Sequence, residues 1–86
     1  MTKLSILRKS IDQVDKQLVK LLARRVRLVK EVGKYKKENR EAIRDPKREL
    51  VIIKNKVAAA KKLGLSATFV KKLWKLLFEE SYKIEK

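Results

Sequence analysis

The sequence predicts an all-α fold: three helices per chain, the first very long, assembled as an antiparallel homodimer in which the long helices cross. Three observations carry this. Two glycines and one proline in 86 residues leave little room for strands and turns. Apolar residues recur at helical spacing almost throughout, and no useful stretch alternates with period two. The first helical segment runs for about 35 residues, about 50 Å at 1.5 Å per residue, whereas a globule of this chain length is only about 30 Å across. A helix that outruns its own chain needs apolar cover for its projecting half. A second copy related by a two-fold axis supplies it.

From about Leu4 to Glu38 nothing stops the first helix except Gly33, which costs about 1 kcal/mol against Ala. The stretch ENREAIRD is a polar connector. Asp45-Pro46 then begins a second helix, because Asp caps and Pro fits the first turn, where its missing N–H was unpaired anyway. That helix runs from Pro46 to about Lys62, and Gly64 suits its C-terminal cap. Ser66 caps the third helix, Leu65 can staple onto Val70, and the helix continues to about Ile84. With no linker, repeat or low-complexity tract, residues 1–86 read as one domain.

Composition narrows the chemistry. There is no cysteine, so no disulfide framework and no thiolate nucleophile. There is no histidine, which removes the usual metal ligand and the usual proton shuttle near neutral pH. No apolar run reaches the roughly 20 residues of a membrane span, and the N-terminus lacks a signal-peptide pattern. The expectation is a soluble, cytoplasmic protein. Its 25 Lys and Arg against 10 Asp and Glu give a net charge of +15. Many of these cations are lysines spread over all segments, in the manner of a solvated surface. The informative cations stand where apolar residues belong.

Steps of four and three from Leu4 give Leu4, Arg8, Ile11, Asp15, Leu18, Leu22, Arg25, Val29, Val32 and Lys36. Most are apolar, as a buried seam requires. Arg8, Arg25 and Lys36 interrupt it. One such cation alone reads as a snorkelling side chain or an ion pair with an acid such as Asp15. Three on one line suggest an anion pocket, because a buried unpaired cation is costly and a ligand carboxylate can pair with it. Arg25 and Lys36 lie about 16 Å apart along the axis, close enough for long side chains to converge. Arg8 is about 25 Å from Arg25. It joins them only from a partner chain, in an antiparallel dimer whose axis passes near residue 19.

In the third helix Val70, Leu73, Trp74, Leu77, Ser81, Ile84 and Glu85 share the inner face. Ser81 and Glu85 are polar insertions there, either frayed into solvent or part of a site. Trp74 and Phe78 read as core. At the start of the second helix, Arg48 and Glu49 sit beside Ile52 and Ile53, which mark its buried side. Glu49 could accept a hydrogen bond from a ligand hydroxyl.

The segments LRKSIDQVDKQLVKLLARRVRLVKEVGKYK, IRDPKRE and FEESYKIE, in this order and spacing, resemble the all-helical (AroQ-type) chorismate mutases over nearly the whole chain. The resemblance implies an intertwined three-helix dimer that rearranges chorismate to prephenate on the route to phenylalanine and tyrosine, without cofactor or metal. It implies that Arg8 of the partner subunit and Arg25 hold the two substrate carboxylates. Lys36 would bind a carboxylate and the ether oxygen. Asp45 would help position the ring end through backbone or side chain, Arg48 would support the pocket and Glu49 would take the ring hydroxyl. Ser81 would bond a carboxylate. Glu85 stands where the family often carries a Gln whose amide donates to the ether oxygen, and a carboxylate can donate there only when protonated. The resemblance therefore predicts activity that rises toward acidic pH, with Glu85→Gln flattening the profile.

Two other readings compete. An isochorismate-pyruvate lyase shares the fold and the cationic pocket, though the acids around DPKRE fit the mutase better. A basic helical nucleic-acid binder would use ARRVRLVKEVGKYKK as its contact helix and turn Arg25 outward. It is disfavoured because Arg25 and Lys36 fall on the buried line. A bare dimerisation module explains neither Glu49 nor Ser81.

Overall fold

The structure is a computed structural model and describes residues 2–86. It is all-helical: α1 spans Lys3–Glu38, α2 Pro46–Lys62 and α3 Ala67–Glu85. Each N-terminus is capped by a short polar side chain. The Thr2 hydroxyl accepts from the Ser5 amide at 3.1 Å, Asp45 from Arg48 at 3.0 Å and Ser66 from Phe69 at 3.2 Å.

Both connectors begin with a left-handed residue that ends the preceding helix. After α2, Gly64 takes φ 75°, the Leu65 amide reaches back to the Ala60 carbonyl at 2.8 Å, and Gly64 itself donates to Lys61. After α1 the same motif forms on Arg40, at φ 54°, with the Glu41 amide on the Lys36 carbonyl at 2.8 Å. The stretch ENREAIRD is thus more than a polar spacer. It holds a helix stop on a residue type that resists this conformation.

α3 packs against both α1 and α2, while the backbones of α1 and α2 do not approach each other. This position between two partners widens the buried arc of α3. Its buried residues are Val70, Phe78, Ser81, Tyr82 and Glu85, whereas Leu73, Trp74, Leu77 and Ile84 are half-buried. The inner face is therefore turned from the expected line toward Phe78 and Tyr82. Fraying of Ser81 and Glu85 is ruled out, since both are buried.

Gly33 explains how α3 approaches α1 so closely. A Cβ built on it would meet the Glu85 Cα at 2.8 Å and the Glu85 carbonyl oxygen at 3.0 Å. Its missing side chain is the contact surface for the last turn of α3, not a mere cost in helix propensity.

The N-terminal half of α1 projects from this body. The molecule measures 57 × 24 × 15 Å, and its radius of gyration is 16.4 Å, against about 12 Å for a compact chain of this length. Leu4, Leu7, Ile11, Val14 and Leu18 are all exposed along that projection, Ile11 to 57%. The seam begins to be covered only at Arg25 and Val29, which are half-buried.

Candidate active site

The C-terminal half of α1, the start of α2 and the end of α3 enclose a pocket of about 350 Å³. That is room for a small-molecule ligand. Val29, Val32, Ile52 and Phe78 form its apolar wall, and Arg25, Lys36, Asp45, Arg48, Glu49, Ser81, Tyr82 and Glu85 supply its polar groups. Of the eight residues singled out in the sequence, seven are brought together here. Arg8 is not among them; it lies exposed on the projecting half of α1.

Local structure fixes each group. Arg25 turns inward and donates from Nη1 to the Ser81 hydroxyl at 2.6 Å, which itself donates to the Leu77 carbonyl at 2.7 Å. Ser81 thereby anchors the guanidinium across the α1–α3 interface. Lys36 donates to the Ile43 carbonyl at 2.6 Å and pairs with Glu85 Oε1 at 2.5 Å. Glu85 is only 5% exposed and Lys36 is half-buried, so the carboxylate end of this ion pair is shielded from water while the ammonium keeps partial access. An ammonium carries three N–H donors, and these two bonds leave the third for a ligand.

Asp45 does double duty. Its carboxylate caps α2, and its backbone amide donates to the Tyr82 hydroxyl at 3.4 Å. Arg48 and Glu49 follow in the first turn of α2, Arg48 exposed at the mouth and Glu49 half-buried. Glu49 is an acid in the first turn of α2, a position that the helix dipole favours.

Tyr82 is the pocket residue that sequence reasoning missed. It is 8% exposed, and the Arg44 guanidinium lies 4.9 Å from its ring centroid. Burial is the main cause of a phenol pKa above the ordinary 10.0; the Asp45 amide works against the rise, while the Glu49 and Glu85 carboxylates add to it. The phenol is thus held in its neutral, donating form. Its sequence signal was the spacing Phe78, Tyr82, Glu85, a second stripe beside the one followed.

Formally the pocket carries three cations, Arg25, Lys36 and Arg48, and three acids, Asp45, Glu49 and Glu85. The acids cluster at the α2 end and beside Lys36, while the partner of Arg25 is a hydroxyl. Such a site offers anion recognition at one end, hydroxyl recognition at the other, and an apolar wall between.

Comparison with known proteins identifies the family of the chain. A family profile described as chorismate mutase type II matches residues 7–86. A bifunctional chorismate mutase/prephenate dehydratase of Buchnera aphidicola subsp. Acyrthosiphon pisum is 39% identical over 83 residues, covering 96% of this chain and 22% of that protein. The T-protein of Haemophilus influenzae is 35% identical over 85 residues, with 99% and 22% covered. The bifunctional chorismate mutase/prephenate dehydratase of Escherichia coli K12 is 35% identical over 75 residues, with 87% and 19% covered. The chain therefore spans about a fifth of the length of these curated relatives. By the extent of the profile match, the chain belongs to the chorismate mutase type II family.

Proposed function

We propose that this chain is a chorismate mutase, converting chorismate to prephenate by a Claisen rearrangement in phenylalanine and tyrosine biosynthesis, in the cytoplasm. The single observation that carries the reading is the convergence of Arg25, Lys36 and Glu49 on one apolar-walled pocket.

The reaction is intramolecular: one C–O bond breaks as one C–C bond forms, with no proton, electron or group exchanged with the protein. Two contributions are needed from the site. The flexible dianion must be held in its reactive chair-like shape, which converts a rare conformer into the bound one. Negative charge that grows on the ether oxygen must meet a positive group already in place. Arg25, steadied by Ser81, holds one carboxylate. The third N–H of Lys36 serves the ether oxygen and a carboxylate. Glu49 accepts from the ring hydroxyl, with Asp45 shaping the ring end and Arg48 closing the mouth. Glu85 keeps the Lys36 ammonium in position.

One chain does not complete the site. Its three cations are matched by three acids, so a dianion needs further positive charge. Arg8 of the partner subunit supplies it in an antiparallel, intertwined homodimer in which the exposed apolar seam of α1 is covered by its copy. The inward turn of Arg25 also speaks against a nucleic-acid contact helix, which would present it to solvent.

The test is a direct assay of chorismate loss and prephenate formation, with Arg25→Ala as control and isochorismate offered in parallel. Prephenate from chorismate, abolished in the variant, is expected. Salicylate and pyruvate from isochorismate, or no chorismate loss above the uncatalysed rate, would overturn the assignment.

A further inference from the structure

The phenol of Tyr82 stands at the α2 end of the pocket, between two groups that both bear on hydroxyl recognition. Its oxygen accepts from the Asp45 backbone amide at 3.4 Å, and Glu49, four residues further along, lines the same pocket, near enough for its carboxylate to add to the rise of the phenol's pKa. The ring is buried, and the Arg44 guanidinium lies 4.9 Å from its centroid. The charged groups that share its two pockets are Asp45, Arg48 and Glu49 of the α2 turn, Arg44 before it, Glu79, Lys83, Glu85 and Lys86 at the end of the chain, and Arg25 and Lys36 on α1.

We propose that Tyr82 is a positioning residue for the substrate's ring hydroxyl: its O–H donates to Glu49 and holds that carboxylate so that its remaining lone pairs face the ring. The inference rests on the mutase reading. Its chemical logic is one of donors and acceptors. An ionised carboxylate accepts at both oxygens and has several rotamers open to it on a half-exposed helix turn. A buried neutral phenol that is itself pinned by a backbone amide fixes one oxygen and leaves the other for the substrate. Glu49 then recognises the hydroxyl as half of a pair and not alone.

Tyr82→Phe keeps the ring, its burial and the Arg44 contact, and removes only the O–H. Kinetics are measured for wild type and variant on chorismate and on the analogue in which the ring hydroxyl is replaced by hydrogen. Wild-type turnover of chorismate tests the mutase reading by itself; its absence would remove that reading and this inference together. With wild type active, kcat/KM for chorismate should fall about tenfold in the variant, on the scale of a lost hydrogen bond to a charged group. The fall on the deoxy analogue should be less than about twofold, because the lost function acts only through the hydroxyl. An equal loss on both substrates would mean a structural role, no loss would mean a spectator, and a gain on chorismate would mean that the phenol obstructs the site; each overturns the proposal. Should the variant fail to fold, 3-fluorotyrosine placed at position 82 alone serves instead. It lowers the phenol's pKa, and the alkaline limb of kcat/KM must then move to lower pH. A limb that stays put overturns the proposal.

Discussion

Adding one methyl group at Gly33 puts the closest packing between α1 and α3 to the test. The new Cβ of Gly33→Ala would lie 2.8 Å from the Glu85 Cα, 3.0 Å from its carbonyl oxygen and 3.3 Å from its carbonyl carbon. Carbon atoms rest about 3.5–4.0 Å apart, so α3 must retreat by about 1 Å. The obstructing atoms are backbone, and no rotamer change relieves them. Helix propensity alone would favour Ala by about 1 kcal/mol. Overpacking of this kind costs about 1–3 kcal/mol, so the net effect is destabilising by about 1 kcal/mol. In a chain of this size that lowers Tm by roughly 4–8 °C. Activity should suffer more than stability. A 1 Å retreat of Glu85 breaks its 2.5 Å bond to Lys36, and a misplacement of that size costs on the order of 100-fold in rate. Thermal unfolding followed by circular dichroism, together with the chorismate assay, reads both quantities. A Gly33→Ala protein with a higher Tm and undiminished activity would refute the α1–α3 contact described here.

Three further outcomes follow from particular residues. Arg40 holds φ 54° at the end of α1, where an L-residue pays about 1–2 kcal/mol. Arg40→Gly should stabilise the protein by roughly 0.5–1 kcal/mol after the greater unfolded-state entropy of Gly is deducted, and urea unfolding measures it. Lys36→Met leaves the buried Glu85 carboxylate without its cation and should cost about 3 kcal/mol, whereas Lys36→Met with Glu85→Leu should recover most of that stability but no activity; paired urea melts and chorismate assays check both halves. The Tyr82 phenol has a pKa raised above 10.0 in the folded protein, mainly by burial. Its contribution to stability is therefore intact below pH 10, where folded and unfolded chains both keep the proton, and is lost as pH rises from 10 through the folded value. Stability of wild type should fall more steeply above pH 10 than that of Tyr82→Phe, and parallel curves would contradict the burial.

The helices were legible because their punctuation is local. Asp45-Pro46, Gly64 and Ser66 carry their reasons in their own side chains, and each forms the cap those reasons imply. Most of the pocket was legible too. Arg25, Lys36 and Glu85 are charges placed on apolar lines, and a charge there must find a partner or a ligand to offset its desolvation. What escaped depends on three-dimensional neighbours. Tyr82 lies beside the stripe that periodicity picks out, and only the lodging of α3 between two helices widens the buried arc to include it. Gly33 looks like a weakness until the last turn of α3 is laid across it. The left-handed turn at Arg40 has no Gly or Asn to announce it. Arg8 shows the opposite limit: its significance was read from a repeat along α1, and a single chain leaves it in solvent, about 25 Å along the axis from Arg25.

Arg8→Ala and Arg25→Ala chains, each inactive alone, can be unfolded together and refolded as a mixture. If every site takes Arg25 from one chain and Arg8 from the other, about half the dimers are mixed and each of those has one intact site, so about a quarter of wild-type activity should return. Activity no greater than the sum of the two separate variants would contradict a site shared between two chains.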